Sequence, residues 1–408
     1  MATRDNIDLF MEGEKMEKTK WGFEPAFVEW LEGVYKDLHR HPELGMDVPW
    51  TTKYIRDEAA KLGVLPEENG LDVGAVFVIK GSQPGPVLAL RADCDALPIE
   101  EAAPVEWKSQ IPGKMHACGH DLNTTVMLGV LKTVIEQKLP EKMKGTLKFF
   151  FQPGEETLEG AKALIEHGAL ENPNVDIVLV SHGDADLHVG EVGVFREFSH
   201  ANSDEFRIEL RGKGGHGARP HQTQDVIIAG SRIVEAVQTI VSRELDARDA
   251  AVISVCEFHA GTAMNIIPSV ARLTGTVRTL KKEVQSLVMK RMKETVDSVA
   301  ALHGVDAQFE YLVGCPSCPI DDTAEDLIRA AAGKALGTEN VKELKTRMGG
   351  EDFAFYAQLR QAGTMRLGIT PQGETRRPST HSPLFRPDLE ALQAGAAVFV
   401  QLVKDYLL

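Results

Sequence analysis

Cysteine is scarce in this sequence: five in 408 residues, an odd number. That excludes a disulfide scaffold and suits a reducing compartment. No apolar run approaches the ~18–20 residues that span a bilayer, and the opening stretch, Met1 to Lys20, is polar and mixed in charge, unlike a signal peptide. Basic charge is in deficit, 45 Lys and Arg against 60 Asp and Glu, for a net charge of −15. Nucleic acid and anionic membrane surfaces recruit Lys and Arg, so neither is an expected partner. Repeats and low-complexity linkers are also absent. What remains is an ordinary globular composition, 43% hydrophobic and 26% charged. A chain of this length is expected to form two or three domains and to be cytoplasmic.

The hydrophobic pattern changes along the chain. The first 20 or so residues read as a loose arm or short helix, and Glu24–Leu38 has helical spacing. Short apolar runs follow at Ala75–Ile79, Val87–Leu90, Leu147–Phe151 and Ile177–Val180, with helical stretches at Asn123–Ile135 and Gly160–His167. Such runs suit strands buried on both faces, hence a mostly parallel sheet covered by helices. The middle differs: alternating strands at Glu205–Arg211, Val252–His259, Ala271–Thr279 and Ala307–Val313 surround helical stretches at Asp225–Arg243 and Val284–His303. The order βαββαβ is that of a ferredoxin-like unit. The expected class is therefore α/β: a large domain from 1–198 and 315–408, with a smaller domain inserted at 199–314. Helix and strand return at Glu325–Leu336, Met365–Gly368 and Asp388–Leu402.

Chemistry-bearing residues concentrate at strand ends. Met115-His116-Ala117-Cys118-Gly119-His120-Asp121 puts a thiol and an imidazole two residues apart before a helix, good ligands for a borderline metal, with Asp121 able to hold a histidine tautomer. A buried cysteine beside capping residues explains that stretch equally well when it is taken alone. Three further sites shift the balance. Phe151-Gln152-Pro153-Gly154-Glu155-Glu156 ends one apolar run with paired carboxylates, of which one can ligate and the other act as a base. Another run ends in Ser181-His182, and a third in Arg91-Ala92-Asp93. Ligands of open α/β sheets bind outside the carboxyl ends of the strands.

Two motifs mislead. Gly212–Gly217 matches G-x-G-x-x-G, but a dinucleotide fingerprint must open a helix directly, and here Arg219-Pro220 intervenes before a helix near Asp225. Cys315-x-x-Cys318 reads as two loop thiols at the return to the main domain. His39 and His41 read as capping and packing groups, Cys94 and Cys256 as buried small hydrophobes, and Asp184 with Asp186 as a solvated loop.

Taken in order, these stretches resemble the M20 metallopeptidase family, in its amidohydrolase branch of hippurate, N-acyl-amino-acid and auxin-conjugate hydrolases. Leu38–Leu44, Arg91–Pro98, Met115–Asp121, Phe151–Glu156, Gly212–His221, Asn265–Pro268, Gly275–Arg278, Gly350–Phe353 and His381–Pro383 carry the likeness. The resemblance implies two divalent ions per subunit (Mn²⁺, Zn²⁺, Co²⁺ or Ni²⁺), with ligands Cys118, His120, Glu156, His182 and His381. It implies hydrolysis of the amide C–N bond of a small N-acyl or N-aroyl amino acid by a metal-activated water, with Glu155 as general base and Asp93 orienting the site. It further implies that the insert is a lid and dimerisation domain of a homodimer, that His216 serves the oxyanion of a partner's site, and that Asn265, Arg278 and Asn123 lie near the substrate. The sequence departs from the family at Asn123, where a histidine is usual, and after His182, where Gly183-Asp184-Ala185-Asp186 replaces an apolar stretch. The altered pocket wall keeps open another C–N bond (dipeptide, carbamoyl or aromatic amine) or a catalytically silent binding protein.

Overall fold

The computed structural model describes residues 18–68 and 70–408; the charged opening stretch, up to residue 17, lies outside the described residues. In chain order the main elements are α1 (Pro25–Arg40), α2 (Pro49–Lys61), β1 (Ala75–Lys80), β2 (Gln83–Asp93), α3 (His120–Glu136), β3 (Lys144–Gln152), α4 (Gly160–Glu166), β4 (Ile177–His188) and β5 (Val192–Val194). Then come β6 (Ser203–Arg211), α5 (Val226–Thr239), β7 (Ala251–Ala260), β8 (Val270–Thr279), α6 (Lys282–His303) and β9 (Asp306–Cys315). The chain closes with α7 (Asp322–Leu336), β10 (Val341–Glu343), β11 (Gln361–Thr370) and α8 (Glu390–Leu407).

Seven strands form the large sheet in the order β1-β3-β2-β4-β11-β5-β10. Both of its faces are covered, which is why its strands read as unbroken apolar runs. Phe149 and Phe151 point into one core with Leu88, Leu90, Ile177 and Leu179, beneath α1, α3 and α8. The residues between them, Phe150, Val87, Ala89, Val178 and Val180, fill the opposite core. β3, β2, β4 and β11 run parallel, whereas β1 pairs antiparallel with β3. The reason is the link: only Gly81 and Ser82 separate β1 from β2, far short of the dozen residues that a parallel crossover needs.

The second sheet, β9-β6-β8-β7, is wholly antiparallel. One face packs on α5 and α6, so β6 alternates, with Phe206, Ile208 and Leu210 buried between exposed neighbours. At the junction between the sheets, the buried Asp204 carboxylate accepts from Gln285 Nε2 at 2.6 Å, Tyr311 Oη at 2.7 Å and Gly314 N at 3.0 Å. Among the described residues no helix is long and apolar enough to cross a membrane.

Candidate metal centre

The site lies at the carboxyl edge of the large sheet. β2 and β3 are parallel and end opposite each other at Asp93 and Gln152, and β4 carries His182 beside them. After β3 the chain turns at 153–157, and both carboxylate oxygens of buried Asp95 take hold of that turn. Oδ1 accepts from Glu155 N at 3.0 Å and Oδ2 from Glu156 N at 3.2 Å. The backbone oxygen of Asp95 accepts from His120 Nδ1 at 2.8 Å. Cys118 and His120 flank Gly119, which has φ 91°, and a side chain there would meet the Phe385 ring at 3.2 Å. Only glycine suits that left-handed position, and it starts α3 with His120 aimed inward.

The five predicted ligands fall into overlapping groups. Cys118, His120 and His182 form one; Cys118, Glu156 and His381 a second; His120, Glu155 and Glu156 a third. Cys118 Sγ lies 3.3 Å from His182 Nε2, and His381 Nε2 lies 3.3 Å from Glu156 Oε1. His120 Nε2 faces Asp93 at 3.7 Å, Glu155 at 3.8 Å and Glu156 at 3.9 Å. His120 and His182 donate Nδ1–H to backbone carbonyls, which leaves their Nε2 lone pairs for a metal. His120 Nε2 is buried with no hydrogen-bond partner, a buried acceptor open to a cation. His381 is held at φ 65°, rare for a residue with a side chain, by its N–H to Ala117 O at 2.8 Å. The residues therefore fit a divalent cation.

The charges agree. Burial pushes the Cys118 thiol up, so a thiolate there requires a cation against the sulfur. Burial, and then the charge of Arg366, push His182 down to about 3, which keeps it a neutral ligand. Burial, and then the neighbouring Glu351 carboxylate, hold Glu155 well above the usual carboxylate range. Asp93 goes the other way: burial raises it, but His120 and Arg91 outweigh that and hold its carboxyl well below.

The remaining predicted residues are dispersed. Asp93 is fully buried, and its oxygens take Asn123 Nδ2 at 2.7 Å and Arg91 Nη1 at 2.6 Å. Asn123 thus stands behind Asp93 and is not among the side chains lining the cavity. His216, exposed, pairs with Ile266 in a two-residue ladder of the inserted unit, and Asn265 adjoins it. Arg278 donates to the carbonyls of Asp204 and Val277. Within one chain these three do not line the cavity at the ligands.

Several readings are corrected. Asp121 does hold a histidine, and it is His39: Nδ1 of His39 lies 2.6 Å from Asp121 Oδ2, and Nε2 lies 3.2 Å from Glu101. Burial pulls the His39 imidazolium down, but these bonds overcome it and hold its pKa at about 9, so His39 does more than cap. Asp184 is not in a solvated loop. β4 runs past its apolar run to pair with β11, and Asp184 is buried against Arg347, whereas Asp186 is exposed and meets Arg376 at 2.7 Å. Cys315 and Cys318 are buried at strand ends. Cys256 is exposed, because β7 is an edge strand. As expected from the sequence, G-x-G-x-x-G opens no helix; α5 is capped by Asp225, whose side chain accepts from Ile227 and Ile228 N.

The sequence reading missed Asp95 and the buried acidic shell behind Glu155. There Arg91 Nη2 meets Asp352 at 2.6 Å and Nη1 meets Glu351 at 3.3 Å. It also missed Arg366, a charged residue inside an apolar strand, and that position was the available signal. The cavity over the ligands has a volume of about 460 Å³.

The chain is similar to known proteins over most of its length. Residues 89–405 match Peptidase family M20/M25/M40. The chain is 35% identical to IAA-amino acid hydrolase ILR1-like 4 of Arabidopsis thaliana over 94% of its own length and 87% of that protein. It is 36% identical to N-acetylcysteine deacetylase of Bacillus subtilis, over 92% and 97%. A Bacillus subtilis structure described as a dinuclear metal binding peptidase from M20 family superposes with a TM-score of 0.81 at 32% identity, covering 93% of this chain and 98% of that one.

Proposed function

Because the chain belongs to peptidase family M20/M25/M40, we propose that it is a metal-dependent hydrolase of the amide C–N bond in small N-acyl or N-aroyl amino acids. The observation that carries this reading is the convergence of Cys118, His120, Glu156, His182 and His381 around His120 Nε2, which is buried without a hydrogen-bond partner. Those five residues would hold two divalent ions. Such ions, when bound, supply Lewis acidity that activates water and polarises an acyl oxygen. Glu155 takes the proton of the attacking water on its carboxylate and delivers it to the leaving nitrogen. Its buried position beside Glu351 suits a group that must hold a proton between those two events. Asp93 orients the site beside His120, and Asn123 and Arg91 steady Asp93.

A second copy of the chain completes the site in this reading. His216 and Asn265 stand at the exposed tip of the inserted unit, from which His216 of the partner subunit would donate to the developing oxyanion and Asn265 and Arg278 would serve the substrate. Exposed Ile227, Ile228, Val252 and Phe258 on α5 and the edge strand β7 supply an apolar face for the homodimer. The lack of cysteine pairing favours the cytoplasm.

The test is a panel of hippurate, N-acetyl amino acids, dipeptides, carbamoyl amino acids and amino-aromatics, assayed after chelation and again with Mn²⁺, Co²⁺ or Zn²⁺ restored. Metal-dependent turnover of the N-acyl substrates is expected. Turnover confined to another C–N bond overturns the substrate class, and binding without turnover overturns the enzyme.

A further inference from the structure

Two chemically different sets of side chains line the cavity over the metal-ligand groups. Cys118, Glu155, Glu156, His182, Glu351 and His381 form one; His200, Arg347 and Arg366 form the other. Arg366 stands opposite His182 in the β4–β11 register, on the neighbouring strand, so a guanidinium lies beside the ligand set.

The two arginines differ in how their charge is met. Arg347 ends on the Asp184 carboxylate. Arg366 is 5% exposed, and among the described residues it has no carboxylate within ion-pair distance. Its Nη2 donates to His200 Nε2 at 2.6 Å. An imidazole that accepts at Nε2 while its Nδ1 lies 3.1 Å from Ser199 Oγ is neutral, so His200 steadies the guanidinium without cancelling its charge. Arg366 Nε–H is buried with no acceptor at all. Burying an unpaired guanidinium, with a donor unmet, is expensive. The arrangement makes sense where the counter-ion arrives with a ligand, and a planar fork of N–H donors is matched by a carboxylate.

We propose that Arg366, braced by His200, is an anion subsite on the large sheet that binds the carboxylate of the substrate. The proposal rests on the hydrolase reading only in naming the ligand a substrate. A guanidinium with no carboxylate in direct contact matches a single negative charge, which sits either on the leaving amino acid or on the acyl group.

Sulfonamide probes distinguish these sources, because they have no acyl carbon to attack. Calorimetry on the metal-loaded protein compares N-(phenylsulfonyl)glycine, its neutral primary amide, and N-methyl-4-carboxybenzenesulfonamide, whose charge is on the acyl side. In the wild-type chain the favoured anion should bind at least about tenfold more tightly than the neutral amide, a gap of about 1.4 kcal/mol. Arg366→Gln should reduce that preference to near parity with metal content unchanged, and Arg366→Lys should retain part of it. Which anion is favoured assigns the carboxylate to the amine or the acyl side; either answer supports the subsite. Equal binding of anion and amide by the wild-type chain overturns the proposal without any variant. A full anion preference in a folded, metal-loaded Arg366→Gln protein overturns it as well. In steady state the same variant should raise KM for anionic amides with little change in kcat. If Arg366→Gln abolishes anion preference while the wild-type protein cleaves none of the amide panel, the subsite stands and the hydrolase reading falls. If turnover is metal-dependent but KM ignores Arg366, the reverse holds.

Discussion

Glu325 tests how burial sets charge in this chain. Its carboxyl lies in the core on α7, where Oε1 accepts the Phe195 N–H at 2.7 Å and Oε2 has no partner. Burial pushes its pKa up from 4.5 to about 7, against backbone hydrogen bonds that pull the other way. The folded chain therefore keeps a proton that the unfolded chain gives up. The stability this group contributes is present in full below pH 4.5 and is lost as the pH rises through about 7. At about 1.4 kcal/mol per pH unit, the gap makes the ionised carboxylate cost roughly 3 kcal/mol by pH 8. Glu325→Gln keeps an acceptor for Phe195 N and cannot ionise. Urea unfolding of both proteins at pH 5 and pH 8 checks this. The variant should gain roughly 2–3 kcal/mol on the wild-type chain between the two conditions. An unchanged difference, or one that turns against the variant at pH 8, refutes the reasoning.

Two other expectations follow from the site and from the inserted unit. Glu155→Ala should retain metal, measured by elemental analysis, while turnover falls by roughly 10²–10⁴-fold, the usual contribution of a positioned base; unchanged turnover removes Glu155 from its role. Ile228→Asp on the exposed face of α5 should shift sedimentation toward monomer and lower turnover together if, as proposed, the partner subunit supplies His216. Full activity in a monomer contradicts that arrangement.

The large sheet was legible because strands buried on both faces show as apolar runs, and the second sheet because one covered face shows as alternation: Phe206, Ile208 and Leu210 carry it. Strand direction was not written in those runs. β1 is reversed by a two-residue link whose consequence appears only once β3 lies between β1 and β2. Asp184 was misread because β4 continues beyond its apolar stretch, where pairing with β11 replaces hydrophobicity as the cause of the strand. The candidate ligand types were legible in their motifs, but the groups that position them were not. Asp95 acts through two backbone N–H groups about sixty residues away. Such pairings cross the chain and leave no local pattern. Arg366 did leave one, a cation inside Ala362–Ile369, where neither face of the strand meets water.

The central claim is that five side chains hold two divalent ions, and metal stoichiometry tests it most directly. The chain, saturated with Mn²⁺, Co²⁺ or Zn²⁺ and dialysed, should carry two ions per subunit by elemental analysis, and Cys118→Ala, which removes a member of two ligand groups, should carry fewer. A folded wild-type chain that retains no ion, or a Cys118→Ala protein that retains the full complement, contradicts the account.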